Sequence, residues 1–306
     1  MASVPRWHTW LKHTAARLSP TLYSRYLFRR MTKRHLHLLH PKGMDEKLMW
    51  LKLHTYRDNP LITQCADKYR VREYIRDCGC EHILNELYHV WDSPAEIRWD
   101  ELPDSFVIKC NHGCGYNLLC PDKAVLDKKA ALKKIWKWYR SDYWLVHAEL
   151  QYRDIPKKVI CEKYLDGDLP DYKIYCFNGV PRYTLACVGR YVPSGEHSVQ
   201  RKKPMFLFFD TDWNLCPLNR DSENCPPEAL VPKPEGYEEM LTIARKLSQP
   251  FPYVRVDLYN HKGKIYFGEL TFIPAAALDK ARRPATDRMF GDLIDLHYTG
   301  PSQTAP

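Results

Sequence analysis

The 306-residue sequence predicts an α+β fold, on three observations. Hydrophobic residues make up 44% and charged residues 27% of the chain, enough apolar material for about two packed domains and too much for disorder or a simple coiled coil. Short β-type runs are joined by hairpin turn signals. Longer stretches carry apolar residues at helical spacing.

Trp7, Trp10, Leu11, Thr14, Ala15 and Leu18 recur at helical spacing before Ser19-Pro20. From Met1 to Met44 the chain has nine Lys/Arg and no Asp or Glu, so the formal +9 of the protein resides in this arm. Beyond it, 37 basic residues balance 37 acidic ones. Two readings of the arm stay open: an amphipathic anchor on an anionic membrane surface, or a helix packed on the body with a solvated charged face. Nucleic acid is not expected, because no helix-turn-helix, zinc-finger or RNP pattern accompanies the charge.

Helices are expected at Asp45–Asp58 and Cys65–Cys78, the second with Ala66, Tyr69, Val71 and Ile75 inward. Phe106–Cys110 reads as a strand, Asn111–Asn117 as a glycine-containing loop and Leu118–Cys120 as the returning strand. A helix over Asp127–Ser141 precedes a buried-type strand, Lys158–Tyr164. Asp171–Phe177 and Val180–Val188 flank Asn178-Gly179, the strongest hairpin signal in the chain. A strand at Phe206–Asp210, a helix at Tyr237–Ser248, a hairpin of Tyr253–Tyr259 with Lys264–Thr271 and a closing helix at Asp287–His297 complete the pattern. Thr299–Pro306 reads as a loose tail. No apolar run reaches 18 residues and no secretory apolar segment is seen, while the eleven cysteines lack any CxxC pair. A reduced, cytoplasmic protein is the expectation.

Three constellations point to chemistry. Lys109 at a strand end, followed by His112-Gly-Cys-Gly115, can bring backbone N–H groups and a fixed positive charge to a phosphate, although a plain tight turn accounts for the glycines equally well. In the last hairpin, a three-residue loop at His261-Lys262-Gly263 sets Arg255 opposite Glu269 and Asp257 opposite Phe267. Asp257, Glu269 and Thr271 then share a face, with the carboxylates diagonal at roughly 7–8 Å, close enough to share a magnesium ion or simply to form an Arg255–Glu269 ion pair. Lys173 alternates onto one strand face with Asp171, and Arg190 follows the next strand; these charges read in isolation as a solvated strand face, or Lys109, Lys173 and Arg190 can oppose charge on a transferring phosphoryl group. Zinc at Cys110, His112, Cys114 and Cys120 has no standard spacing behind it.

In order along the chain, the strand lysine and Gly loop, Glu162-Lys-Tyr-Leu165, Asp171-Tyr-Lys173, Arg255-Val-Asp-Leu-Tyr259 and Gly268-Glu-Leu-Thr271 resemble the ATP-grasp superfamily. Asp67-Lys-Tyr-Arg-Val-Arg-Glu-Tyr-Ile75, Leu102 to Gly115, Asp171-Tyr-Lys-Ile-Tyr-Cys-Phe-Asn-Gly179 and Val254 to Tyr259 are similar to its TupA-like branch, found in teichuronopeptide and capsular polysaccharide synthesis. The resemblance covers about residues 40–298. It implies two α+β lobes with ATP between them: a basic arm (1–44), an N-terminal helical region (45–105), a first lobe (106–165), a second lobe (166–298) and a tail (299–306).

It also implies roles. Lys109 meets ATP phosphate; His112, Gly113, Cys114 and Gly115 form the phosphate lid; Glu162, Lys163, Tyr164 and Leu165 are the hinge that reads adenine. Lys173, Arg190 and Arg255 face phosphoryl transfer, and Asp257, Glu269 and Thr271 hold Mg²⁺. The implied reaction is an ATP-dependent ligation of a carboxylate, such as a uronic acid, to an amine, on a cell-surface glycan or its precursor. Two departures stand out: Thr271 where many ATP-grasp ligases have Asn, and no glycine in Pro274–Ala277. Three rivals remain. They are a glycosyltransferase using Asp210-Thr-Asp212 or Asp166-Gly-Asp168, a kinase acting on a sugar hydroxyl, and a non-catalytic ATP-binding or membrane-adaptor module.

Overall fold

A computed structural model describes residues 6–167, 169–188, 191–195, 198–201, 204–280 and 282–301. Five helices come first: α1 (Arg6–Leu18), α2 (Pro20–Thr32), α3 (Met44–Leu53), α4 (Pro60–Ala66) and α5 (Val71–Asp77). Strands β1 (Leu87–Trp91), β2 (Phe106–Cys110) and β3 (Asn117–Cys120) lead to α6 (Lys128–Tyr139) and β4 (Val159–Lys163). Then follow β5 (Asp171–Phe177), β6 (Val180–Val188), β7 (Tyr191–Gly195), β8 (Ser198–Arg201) and β9 (Met205–Phe209). The chain closes with α7 (Arg220–Glu223), α8 (Tyr237–Ser248), β10 (Tyr253–His261), β11 (Lys264–Thr271) and α9 (Pro284–Leu293).

Two antiparallel sheets carry the α+β architecture. The first has the order β1-β4-β2-β3, the second β11-β10-β5-β6-β9, and β7-β8 form a separate ribbon. One face of the first sheet packs Phe106, Ile108, Cys110, Val159 and Cys161 against Ile135 of α6. Helix α6 starts where its sequence says it should, with the Asp127 carboxylate accepting from the Ala130 N–H at 2.9 Å. In the second sheet, Ile174, Cys176, Val254, Val256, Ala186 and Leu207 lie on one face, where α8 covers them with Met240, Ile243, Ala244 and Leu247. Period 2 then commits Asp171, Lys173, Arg255 and Asp257 to the opposite face.

The predicted helix over Cys65–Cys78 is broken into α4 and α5. Asp67 leaves the helical region, with ψ at 115°, and its Oδ1 accepts from the backbone N–H groups of Tyr69 and Arg70. That local capture competes with helix continuation. The last hairpin is also corrected. Its turn has two residues, Lys262 and Gly263, both at positive φ (55° and 83°), and a bulge at Gly268 restores the face. Arg255 therefore lies opposite Thr271, and Asp257 is directly opposite Glu269 rather than diagonal to it. A Cβ at Gly268 would sit 2.9 Å from the Asp257 carbonyl oxygen, so the bulge position has little room for any other residue.

Helices α1 and α2 pack on the body. Ala16, Tyr23, Leu27 and Phe28 are buried in the same core as the second sheet. Just after α2, Arg34 donates to Asp287 at 3.0 Å and to Asp45 at 3.4 Å, while Arg282 pairs with the same two carboxylates. Among the described residues no helix is long and apolar enough to cross a membrane.

Candidate active site

The face of the first sheet turned away from α6 carries Val107, Lys109, Asn117, Leu119 and Glu162, brought together by the β2–β3 and β2–β4 registers. Across from it stand Tyr259, Tyr266 and Phe267 of the β10–β11 hairpin, and the segment from Lys163 to Leu169 joins the two sheets at one side. They enclose a cleft of about 450 Å³. Its walls are apolar and aromatic, and its inner end is ionic. Lys109 Nζ lies 2.5 Å from Glu162 Oε2, and Arg72 donates to Glu162 Oε1 at 3.3 Å. Lys109, Glu162 and Glu269 also line a smaller adjoining cavity of about 30 Å³, so the two sheets meet at one site.

The glycine loop is tied to this inner end through Lys68, which lines the smaller cavity. Asn111, fully buried, fixes its base by donating to Asp67 Oδ1 at 2.9 Å and to the Pro156 carbonyl at 2.8 Å. Lys68 donates to the Gly113 carbonyl. A Cβ at Gly113 would meet the Tyr116 and Tyr143 rings at 2.7–2.8 Å, and Gly115 adopts φ +74° facing open space. The glycines are thus required by a close approach and a left-handed bend respectively. Cys114 is exposed on the same loop.

His112 lies apart from that surface. Its ring is 2% exposed and packs edge-on to Tyr116 and Tyr139, with Nε2 3.2 Å from the Trp138 carbonyl. Only its backbone is on the loop side. Burial, helped by the nearby Lys157 ammonium, pushes the imidazole down to about 4. Between that value and the ordinary 6.5, the unfolded chain binds the proton and the folded chain does not. Stability therefore rises with pH across the window and is lost as pH falls from about 6.5 towards 4, by an amount of order 3 kcal/mol. The expected result is that His112→Phe flattens the pH dependence of the thermal unfolding midpoint over this window. An unchanged slope counts against the assignment. The Trp138 carbonyl keeps its Ser141 hydroxyl partner at 2.7 Å in the variant.

On the second sheet the charges are tightly paired. Asp257, 1% exposed, accepts from Arg255 Nε at 2.6 Å, from Arg255 Nη2 at 2.7 Å and from Lys173 Nζ at 2.7 Å. Lys173 also lies 2.6 Å from Asp171, and Arg255 donates to the Thr271 hydroxyl at 3.1 Å. Burial alone would push the Asp257 carboxyl up, but Arg255 and Lys173 outweigh it and hold the group below its ordinary range. A carboxylate has about four lone-pair sites, and three of those on Asp257 are occupied. Glu269, 36% exposed, has Arg255 at 3.9 Å. Magnesium needs few protein oxygens beside phosphate and water. Glu269 and the remaining position on Asp257 fit that requirement, whereas the Thr271 hydroxyl is already engaged by Arg255.

Arg190 lies outside the described residues, as does Asp168. Beyond Lys173 and Arg255, a second cavity of about 380 Å³ opens on the same sheet face, reaching Arg220, Arg282, Pro274 and Ala275. Ala275, Ala276 and Ala277 all have φ of 50–56°, so the segment is left-handed without glycine.

Asp210 spends its carboxylate on its own turn, accepting from the Asp212 and Asn214 N–H groups and the Asn214 amide, which removes the support for an Asp-x-Asp metal site. Among the described residues no cluster of three metal-binding side chains occurs, and Cys110, His112, Cys114 and Cys120 are no exception. Lys68 and Arg72 are site residues that no spacing indicated. Lys68 and Arg72 stand in the quoted Asp67–Ile75 stretch, but their reach to Gly113 and Glu162 comes only from the packing of α5.

Residues 46–295 match the family model described as TupA-like ATPgrasp. No curated protein matches the sequence. Among solved structures, D-alanine–D-alanine ligase from Bacillus anthracis is similar at 14% identity and a TM-score of 0.44, over 83% of this chain and 66% of that one. Its complex with ATP gives the same identity and TM-score over 68% of its length. L-amino acid ligase from Bacillus licheniformis is similar at 14% identity and a TM-score of 0.44, over 86% of this chain and 57% of that one. The chain thus spans about two thirds or less of the length of these ligases.

Proposed function

Because this chain belongs to the TupA-like ATP-grasp family, we propose that it is an ATP-dependent ligase that joins a carboxylate to an amine in the synthesis of a capsular or other cell-surface polysaccharide. The observation that supports the reading is the meeting of two sheets at one site, with Lys109 and Glu162 on one wall and Glu269 on the other, and with Glu269 paired across the hairpin to Asp257 of the Arg255–Asp257–Lys173 group.

A carboxylate is a poor electrophile at neutral pH. In the proposed first step a carboxylate oxygen of the substrate attacks the γ-phosphorus of ATP, the β–γ bridging bond breaks, and ADP leaves with the bond's electron pair. In the second step the amine attacks the acyl carbon, inorganic phosphate departs, and the amine proton passes to solvent or base. The chain's task is placement and charge opposition. Adenine occupies the apolar cleft beside Tyr164 and Leu165, with backbone groups of the Glu162–Leu165 segment at its edge. Lys109 and the Gly113–Gly115 backbone hold phosphate, and Lys173, Arg255 and Arg190 oppose charge on the transferring group. Glu269 and Asp257 would hold Mg²⁺, which supplies further opposition to phosphate charge when bound. The left-handed alanine segment borders the substrate side, and a uronic-acid-type carboxylate with an amino acid or other amine is the proposed pair.

The test is ATP turnover by the purified protein against a panel of uronic acids and amino acids, with ADP and phosphate both measured. Equal ADP and phosphate that require both substrates are expected. ADP with a phosphorylated product and no free phosphate would make the protein a kinase.

A further inference from the structure

The outer surface of α1 and α2 combines features that the ligase reading does not use. Helix α2 turns Tyr23, Ser24, Leu27 and Phe28 inward and Leu22, Arg25, Tyr26, Arg29 and Arg30 outward, a clean division at helical period. On α1, Ala16 faces the body, while Trp10 and Leu18 are 65% and 83% exposed; Leu22 on α2 is 67% exposed. A shallow groove of about 570 Å³ continues the surface from Arg25 to His37, Lys42 and Leu39, whose side chain is 90% exposed. The segment contributes no carboxylate, and Arg25, Arg29 and Arg30 meet none among the described residues; Arg30 donates to the Tyr26 hydroxyl at 3.0 Å. Among the described residues, six of the ten large exposed hydrophobic side chains lie on this one arm, so the apolar exposure is concentrated beside the basic face.

We propose that this face docks on an anionic lipid bilayer, lying in the interface with the leucine and tryptophan tips in the acyl boundary and the arginines at the lipid phosphates. Aliphatic tips interleaved with unpaired guanidinium groups suit a surface that is apolar beneath and anionic above. Trp10 and Tyr26 carry the ring-plus-polar-tip chemistry that settles at a membrane–water boundary. A second copy of the chain does not fit, since a twofold pairing would set Arg25, Arg29 and Arg30 against their own copies, with Glu46 of the groove already accepting from the His37 and Lys42 N–H groups. RNA would use the arginines but has no use for exposed leucines. The proposal goes beyond the ligase reading and stands without it.

The test is co-sedimentation of the full chain with vesicles of phosphatidylcholine alone or with about one-third phosphatidylglycerol. Binding is expected to the mixed vesicles and not to phosphatidylcholine. Replacing Arg25, Arg29 and Arg30 together by Gln should weaken it at least about tenfold, as should Leu18→Ser with Leu22→Ser even at low salt. Both variants should keep the wild-type unfolding midpoint, because every altered side chain is exposed. Failure of the wild type to bind mixed vesicles overturns the proposal, and so does binding that the leucine pair leaves unchanged. Binding of single-stranded RNA that the arginine variant abolishes, without vesicle binding, reassigns the face to nucleic acid.

Discussion

Lys109→Met is expected to lower ATP turnover by about 100- to 1,000-fold, the range for removing one fixed positive contact from a developing phosphoryl charge. The expectation rests on place. Lys109 projects from β2 at the point where the cleft and the smaller cavity share a wall, and it is paired there with Glu162, which lines both cavities with it. The carboxylate keeps Arg72 as a partner in the variant, so the fold should survive with a loss of about 1–3 kcal/mol. ADP release under saturating ATP checks it. Turnover within threefold of wild type would show that the phosphate end of the site lies elsewhere.

The second large effect belongs to Asp257. Asp257→Asn leaves Lys173 and Arg255 buried side by side without their shared anion, and breaking such a group costs about 3–5 kcal/mol. At about 2–4 °C per kcal/mol for a chain of this class, the unfolding midpoint should fall by roughly 10 °C, and turnover should be lost with it. A double substitution, Asp257→Asn with Lys173→Met, should be less destabilised than the sum of the two single changes, because the Lys173–Asp257 contact that each single change removes is lost only once. Thermal unfolding of all three variants measures this. Strict additivity would mean that the pair seen at 2.7 Å contributes nothing.

Much of this was legible in the chain. Asn178-Gly179 forms its turn with both residues at positive φ, Asp127 caps the helix it precedes, and the helix at Tyr237–Ser248 keeps its predicted bounds. These are local decisions, made by residues within a few positions of one another. The misreadings have local causes too, but ones with weak signatures. Asp67 breaks a periodic stretch by trapping two N–H groups, and nothing in the pattern distinguishes it from an aspartate on a helix surface. Lys262 at positive φ shortens the last turn by one residue, and the bulge at Gly268 then compensates, so Asp257 and Glu269 still meet although each intermediate register differs. The direction of His112 depends on the aromatic side chains of α6, which arrive from some 25 residues away. The arm lay beyond periodicity alone, because a helix with a basic face and an apolar face looks the same whether it rests on protein or on lipid.

The shared carboxylates of Asp45 and Asp287 bear on how the molecule is made. Synthesis delivers residues 20–34 some 250 residues before α9, at a pace slow enough for what emerges to settle as it appears. Yet Phe28 belongs to the core that Phe290 helps to fill, and Arg34 finds one of its two acceptors only on α9. On the ribosome the basic arm therefore stays without its full seat until α9 has emerged.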